Sequence, residues 1–180
     1  AANPRPNNLM GHIVRWSENG DLDARAFRWD VFVLCGDPAN AAASSQGNIA
    51  GDIFGSPDGL GFDAFGRLWI QTDISASVIG RGDYANIGNN QMLCADPTTG
   101  EIRRFLTGPV GCEITGLAFA PDHRSVFVNV QHPGEPTDGR DALDPANPTE
   151  FSSWPDGPGG GRPRSATVVI RRLDGGIIGT

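Results

Sequence analysis

The side chains with most chemistry to offer are acids placed at the mouths of short strand-like segments. Asp58 lies in the tight turn Ser56-Pro57-Asp58-Gly59, and Glu113 lies in Gly111-Cys112-Glu113-Ile114-Thr115-Gly116. A sharp turn before a strand aims its acid off the strand end. Calcium, a hard cation that takes about six to eight oxygens, would need carboxylates converging from several such elements. The plain alternative for Asp58 is an Asp that caps its own turn. Asp73, at the far end of the segment that Asp58 opens, reads as a loop or rim acid and a further metal candidate. The run Gln131-His132-Pro133-Gly134-Glu135 offers an imidazole and a carboxylate, although His-Pro-Gly is also ordinary turn chemistry. Near the start, Arg5, Asn7 and Asn8 precede the first strand, where an arginine fork could bind phosphate through two nitrogens.

The elements that must position these residues read as β-hairpins. In Phe54–Asp73, Leu60 and Phe62 alternate with small or polar neighbours, Ala64-Phe65-Gly66-Arg67 supplies a turn, and Leu68-Trp69-Ile70 forms a second apolar run. Gly59–Asp73 repeats as Gly116–Gln131, matching at Gly59/Gly116, Leu60/Leu117 and Phe62/Phe119, then at Trp69/Phe127 and Ile70/Val128 after a one-residue offset. Thr115 is the counterpart of Asp58, so Glu113 stands two residues before it. Each repeat is followed by a second hairpin pattern, Gln91–Leu106 and Ser165–Gly179, with turn residues at Pro97–Gly100 and Asp174–Gly176.

Four-stranded units in tandem, 57 residues apart from Gly59 to Gly116, are the pattern of propeller blades. The expected fold is all-β: an incomplete β-propeller of about two and a half four-stranded antiparallel blades. Residues 11–34 give the outer hairpin of an incomplete blade with an Asn19-Gly20 turn, 54–106 one blade, and 113–179 another, which carries the long loop 132–164. That loop is rich in Pro, Gly and Asp, and Trp154 is its candidate anchor. An open sandwich of about ten strands is the alternative. An incomplete ring exposes strand edges and apolar faces, so a homodimer or other self-association that covers them is also expected, and a non-catalytic propeller segment that self-associates is an alternative function.

Composition narrows the partners. A net charge of −7 and a pI near 4.8 argue against nucleic acid, whose phosphates want a basic surface. No apolar run approaches a membrane span, and no signal segment opens these 180 residues, which read as soluble. Cys35, Cys94 and Cys112 are odd in number and widely spaced, which signals neither a zinc site nor a disulfide framework. They read as small buried hydrophobes, with Cys112 notable because Glu113 follows it.

The segments GHIVRW, SPDGLGFDAFGRLWIQTD, GPVGCEITGLAFAPD, FVNVQHPGEP and RPRSATVVIRRLDGGIIG together resemble the carboxy-terminal portion of the PhoX-type alkaline phosphatases. The resemblance implies a six-bladed propeller that holds iron and calcium in its central channel. It implies hydrolysis of phosphate monoesters in the periplasm or outside the cell, after export by the twin-arginine route. On it, Asp58 and Glu113 are channel ligands, Arg5, Asn7 and Asn8 match the NPRxNN wording, and His132 and Glu135 fall in a family motif. The family pattern also has an earlier half, with further ligands and an Arg-Pro-Glu motif that these residues do not contain. The expectation is therefore an active parent and an inactive fragment. SPDGL also resembles calcium-dependent propeller lactonases, which keeps a lactonase open as an alternative.

Overall fold

The computed structural model describes residues 2–180, and these form strands with one short 3-10 turn at Gly82–Tyr84. Strands β1 (His12–Glu18) and β2 (Phe27–Leu34) make a two-stranded antiparallel sheet. Strands β3 (Ala50–Gly51), β4 (Pro57–Phe62), β5 (Leu68–Thr72), β6 (Gln91–Ala95) and β7 (Glu101–Thr107) make a second sheet, in the order β3-β7-β6-β5-β4. Strands β8 (Glu113–Phe119), β9 (Ser125–Gln131) and β10 (Ala166–Arg171) make a third, in the order β10-β9-β8. None of the three sheets closes on itself.

Period-2 alternation decides how the sheets stack. Every residue of β5 is buried, because its two faces meet different neighbours. Leu68 and Ile70 point with Leu93 and Ala95 into a core shared with Ile13, Val33 and Phe54. Trp69 and Met92 point the other way, into a second core with Ile114, Val126, Val128 and Val130. The middle sheet is thus covered by the first sheet on one side and the third on the other.

The repeat seen in the sequence is also a repeat of backbone irregularity. Pairing slips by one residue between Pro57 and Leu60 on β4, and again between Thr115 and Leu117 on β8. Each slip is a bulge that carries a glycine, the usual residue where a strand kinks. A Cβ on Gly59 would lie 2.5 Å from Gln71 Oε1, and one on Gly116 would lie 2.4 Å from Asn129 Nδ2. Gln71 and Asn129 are counterparts, so each hairpin sets an amide against a bulge glycine.

Three sequence expectations change. The β1–β2 connection is the whole stretch 19–26, closed by Asn19 N–H donating to Ala26 O (3.0 Å), rather than a two-residue Asn19-Gly20 turn. The segment 165–179 gives β10 alone and no second strand. Asp174 accepts from Gly176 N–H (2.9 Å), and the chain then turns inward. Ile178 is buried and donates its N–H to His123 O (2.9 Å), so the tail docks on the β8–β9 turn. Strand β3, paired parallel to β7, was not foreseen, because two residues carry no period. In the long loop, Trp154 packs against the second core.

Asp63 organises the β4–β5 turn and its side chain is fully withdrawn from solvent. It accepts from Phe65 N–H (2.9 Å), Arg67 N–H (3.1 Å), Arg67 Nε (2.6 Å) and Trp69 Nε1 (2.9 Å). Arg67 reaches on to the carbonyl of Ile178 (2.8 Å), so one carboxylate fixes turn, core tryptophan and tail. Burial alone would raise the Asp63 pKa, but the bonds from Trp69, Arg67 and Phe65 outweigh it and hold it below the usual carboxylate value. A lowered folded pKa gives stability that is present above about pH 4 and lost as pH falls through the lower folded value. Asp63→Ala is expected to lower unfolding free energy by about 3 kcal/mol in urea titrations at neutral pH. In Asp63→Asn the part of the acid-induced loss due to this group should disappear.

Candidate functional site

The starts of β4 and β8 and the ends of β5 and β9 lie at one rim, because the two hairpins run side by side. Gln71 Nε2 donates to Gly116 O (2.8 Å), and a Cβ on Gly61 would lie 2.8 Å from Leu117 Cδ2. These contacts put Asp58 and Glu113 at the same end of neighbouring strands. Asp58 is exposed on its bulge, and no hydrogen bond from another described residue reaches its carboxylate. A capping role would have shown as a bond to a following N–H, which Asp63 makes and Asp58 does not.

Glu113 is nearly buried, with 11% of its side chain exposed. Gln131, its cross-strand partner, donates Nε2 to Glu113 Oε2 (2.7 Å). His132 Nε2 lies 3.4 Å from the same oxygen, while its Nδ1 lies 3.3 Å from Glu135 Oε1. The structure therefore brings Glu113 to the His132–Glu135 pair, from which the sequence had kept it apart. A cleft of about 500 Å³ opens beside them, lined by Asp73, Cys112, His132, Glu135, Arg140 and Asp141 among others. Asp73 is exposed, and its N–H donates to Ser56 O (3.0 Å), next to the turn of Asp58.

The amino-terminal candidates occupy a different setting. Arg5 is buried and donates to the carbonyls of Cys35 (3.1 Å), Gly11 (2.9 Å) and Gln46 and to Asn8 Oδ1. Its guanidinium crosslinks the chain start to the loop after β2. Asn8 Nδ2 bonds His12 Nδ1 (2.7 Å), and Asn7 and Asn8 line a shallow cleft of about 490 Å³ with Ser56 and Pro57. The asparagines, more than the arginine, therefore face the approach to Asp58.

All three cysteines are free, and burial pushes the thiols of Cys35 and Cys112 up to about 12. A thiol so placed stays protonated and acts as a small hydrophobe.

Two buried amides that carry no charge hold this rim together, and motif reasoning passes over them. Asn90, 1% exposed, accepts from Thr72 Oγ1 (2.8 Å) and Ile74 N–H (2.6 Å), and donates to Ile74 O (2.9 Å) and Cys112 O (2.8 Å). The bond to Cys112 fixes the residue immediately before Glu113. Gln71 is the other amide. Its signal in the sequence was a polar side chain directly after an apolar run, with Asn129 at the matching place.

Among the described residues no group of three or more His, Cys, Asp or Glu side chains is gathered as a cation would require. The rim offers donors of the right kind without a complete shell.

Comparison with known proteins gives two matches. The family described as Alkaline phosphatase PhoX matches residues 1–134. A solved structure, Pseudomonas fluorescens PhoX in complex with vanadate, a transition state analogue, aligns with a TM-score of 0.82 at 47% sequence identity. That match covers 98% of this chain and 29% of that one, so the chain spans under a third of its relative's length. No curated protein matches.

Asn90→Ala removes the tie between the end of β5 and Cys112 and strands their buried polar groups. It should lower stability by about 3 kcal/mol in denaturant titration, with the Glu113 strand losing amide-exchange protection before the β4–β7 sheet does.

Proposed function

The chain belongs to the PhoX alkaline phosphatase family, and from that premise we propose that it is the carboxy-terminal part of a metal-dependent phosphomonoesterase. The observation that carries this is the 47% identity to a PhoX structure over 98% of the chain, together with two carboxylates placed at one rim. In this reading β4–β7 is one propeller blade, β8–β10 most of the next, and β1–β2 the outer hairpin of the one before. The covered middle sheet and the repeated bulge support it.

Asp58 and Glu113 would hold calcium, and iron would share the site with ligands from elsewhere in the parent. The donors fit in kind: Asp58 is exposed with no competing bond, and Glu113 has only its Oε2 engaged by Gln131 and His132. They do not fit in number, which is why the isolated segment is proposed to be inactive. Bound cations neutralise phosphoryl oxygens and ready an oxygen nucleophile. The chain's own part is to fix two negative oxygens at a rim from which Asn90 and Gln71 remove freedom, and to offer amide donors from Asn7 and Asn8 nearby. The substrate is a phosphate monoester, a reading that the relative's complex with vanadate, a transition state analogue, supports. The family is one of exported enzymes, so the proposed location is periplasmic or secreted. Among the described residues no helix is long and apolar enough to cross a membrane. A lactonase reading rests on SPDGL alone.

Self-association is a second reading, carried by exposed apolar side chains. Trp16 is 62% exposed and Phe62 67%, and both line an apolar groove of about 270 Å³ with Val14, Phe32 and Leu60. Sedimentation of the isolated segment at micromolar concentration should give a dimer, and a compact monomer would remove this reading.

For the full-length protein, Asp58→Ala should reduce turnover of a chromogenic phosphate monoester at least 100-fold, as expected for loss of a metal ligand. Vanadate should inhibit the parent competitively. Retained turnover with unchanged metal content would remove Asp58 from the site.

A further inference from the structure

We infer that Gln131 and His132 are positioning residues that clamp one oxygen of Glu113 and leave the other for a cation, an assignment that rests on reading Glu113 as a metal ligand. Gln131 Nε2 and His132 Nε2 both address Oε2, at 2.7 and 3.4 Å. No described donor reaches Oε1. A carboxylate free to rotate would present either oxygen or both. This one has Oε2 hydrogen-bonded by Gln131 with His132 in ionic contact beside it, as outer-shell partners hold the ligands of built metal sites.

The backbone is shaped to make this arrangement. Successive side chains of a strand point to opposite faces, so Gln131 and His132 could not both reach Glu113 if β9 continued regularly. It does not: His132 has φ +36°, a left-handed value that a non-glycine residue seldom adopts. The break swings the imidazole back over the face that Gln131 already occupies. His132 N–H is met by Ser165 Oγ (2.9 Å), and Gly134 N–H donates to Val110 O (2.7 Å). Gly111 closes the seam, since a Cβ there would stand 2.4 Å from Glu135 O. Glu135 Oε1 lies 3.3 Å from Nδ1 on the far side of the imidazole, an ionic contact without hydrogen-bond geometry.

The first hairpin has no such clamp. Its counterpart of Gln131 is Asp73, an exposed acid, and the residue after it is Ile74. The device therefore belongs to the Glu113 strand alone and is not a by-product of the repeat.

The test uses the full-length protein in three variants, Gln131→Met, His132→Asn and Glu113→Gln. Methionine keeps the length of glutamine without its donor, and asparagine tolerates the left-handed backbone, which guards against simple unfolding. Calcium affinity is read by titration of the chelator-treated protein, alongside kcat and KM for a phosphate monoester and the thermal midpoint. Gln131→Met and His132→Asn should each weaken calcium binding about 10-fold. At saturating calcium they should recover most of kcat, and their thermal midpoints without metal should match the wild type. Wild-type calcium affinity in both, with affinity lost in Glu113→Gln, would overturn the clamp while leaving Glu113 a ligand. Wild-type affinity in Glu113→Gln would overturn the ligand reading and the clamp with it. A fall in the metal-free thermal midpoint that accounts for the whole loss of affinity would make the two residues structural only and would also overturn it.

Discussion

A buried amide must find all its hydrogen bonds inside the protein, and the placement of the rim follows from where Asn90 finds its four. Leaving any of them unmade would cost on the order of 1–3 kcal/mol, so the side chain has little choice of geometry. Its partners are Thr72 and Ile74 at the end of β5 and Cys112 just before β8. Two strands from different sheets are thereby held at a fixed spacing, a service that apolar packing, which is non-directional, does not provide. Gln71 adds a second directional tie at Gly116 O, close to the bulge where each hairpin kinks.

Around this fixed frame the acids divide by environment. Asp63 is fully withdrawn and fully bonded, so it acts as a fastener of turn, tryptophan and tail. Asp58 is exposed and unbonded, so its charge is available. Glu113 falls between, close to buried with one oxygen engaged. The three carboxylates are chemically alike, and their surroundings alone assign them different work. The net charge of −7 would discourage an anionic substrate unless cations intervened, which is consistent with the proposal that the rim carboxylates hold cations.

Much of the architecture could be read from period and turn chemistry. The alternation in Leu60–Phe62 and Leu68–Ile70, the Asp-rich turns and the 57-residue spacing located β4, β5, β8 and β9, and the β-branched run Thr167–Ile170 located β10. Termination was less legible: the tail after Arg171 had strand-like residues, but Ile178 found a better place in a core that local pattern cannot reveal. The acids of the rim were legible as acids, whereas their clustering was not. His132 meets Glu113 only because the backbone reverses its face at one residue, and no sequence period predicts a single left-handed step. Arg5 shows the converse, since a phosphate-like motif at the chain start became an internal crosslink once Cys35, Gly11 and Gln46 surrounded it. Asn90 and Gln71 were hidden for a different reason: uncharged amides carry no chemistry in a motif, and their value comes from burial.

Asp58 and Glu113, carried on neighbouring hairpins, are proposed to serve one cation-filled phosphate site. A crystal structure of the full-length protein grown with calcium and vanadate, with anomalous maps to place the metals, tests it most directly. Oxygens of both carboxylates are expected at about 2.3–2.6 Å from calcium, with vanadate bound to the same ions. Cations bound elsewhere, with Asp58 and Glu113 both facing solvent or protein alone, would contradict it.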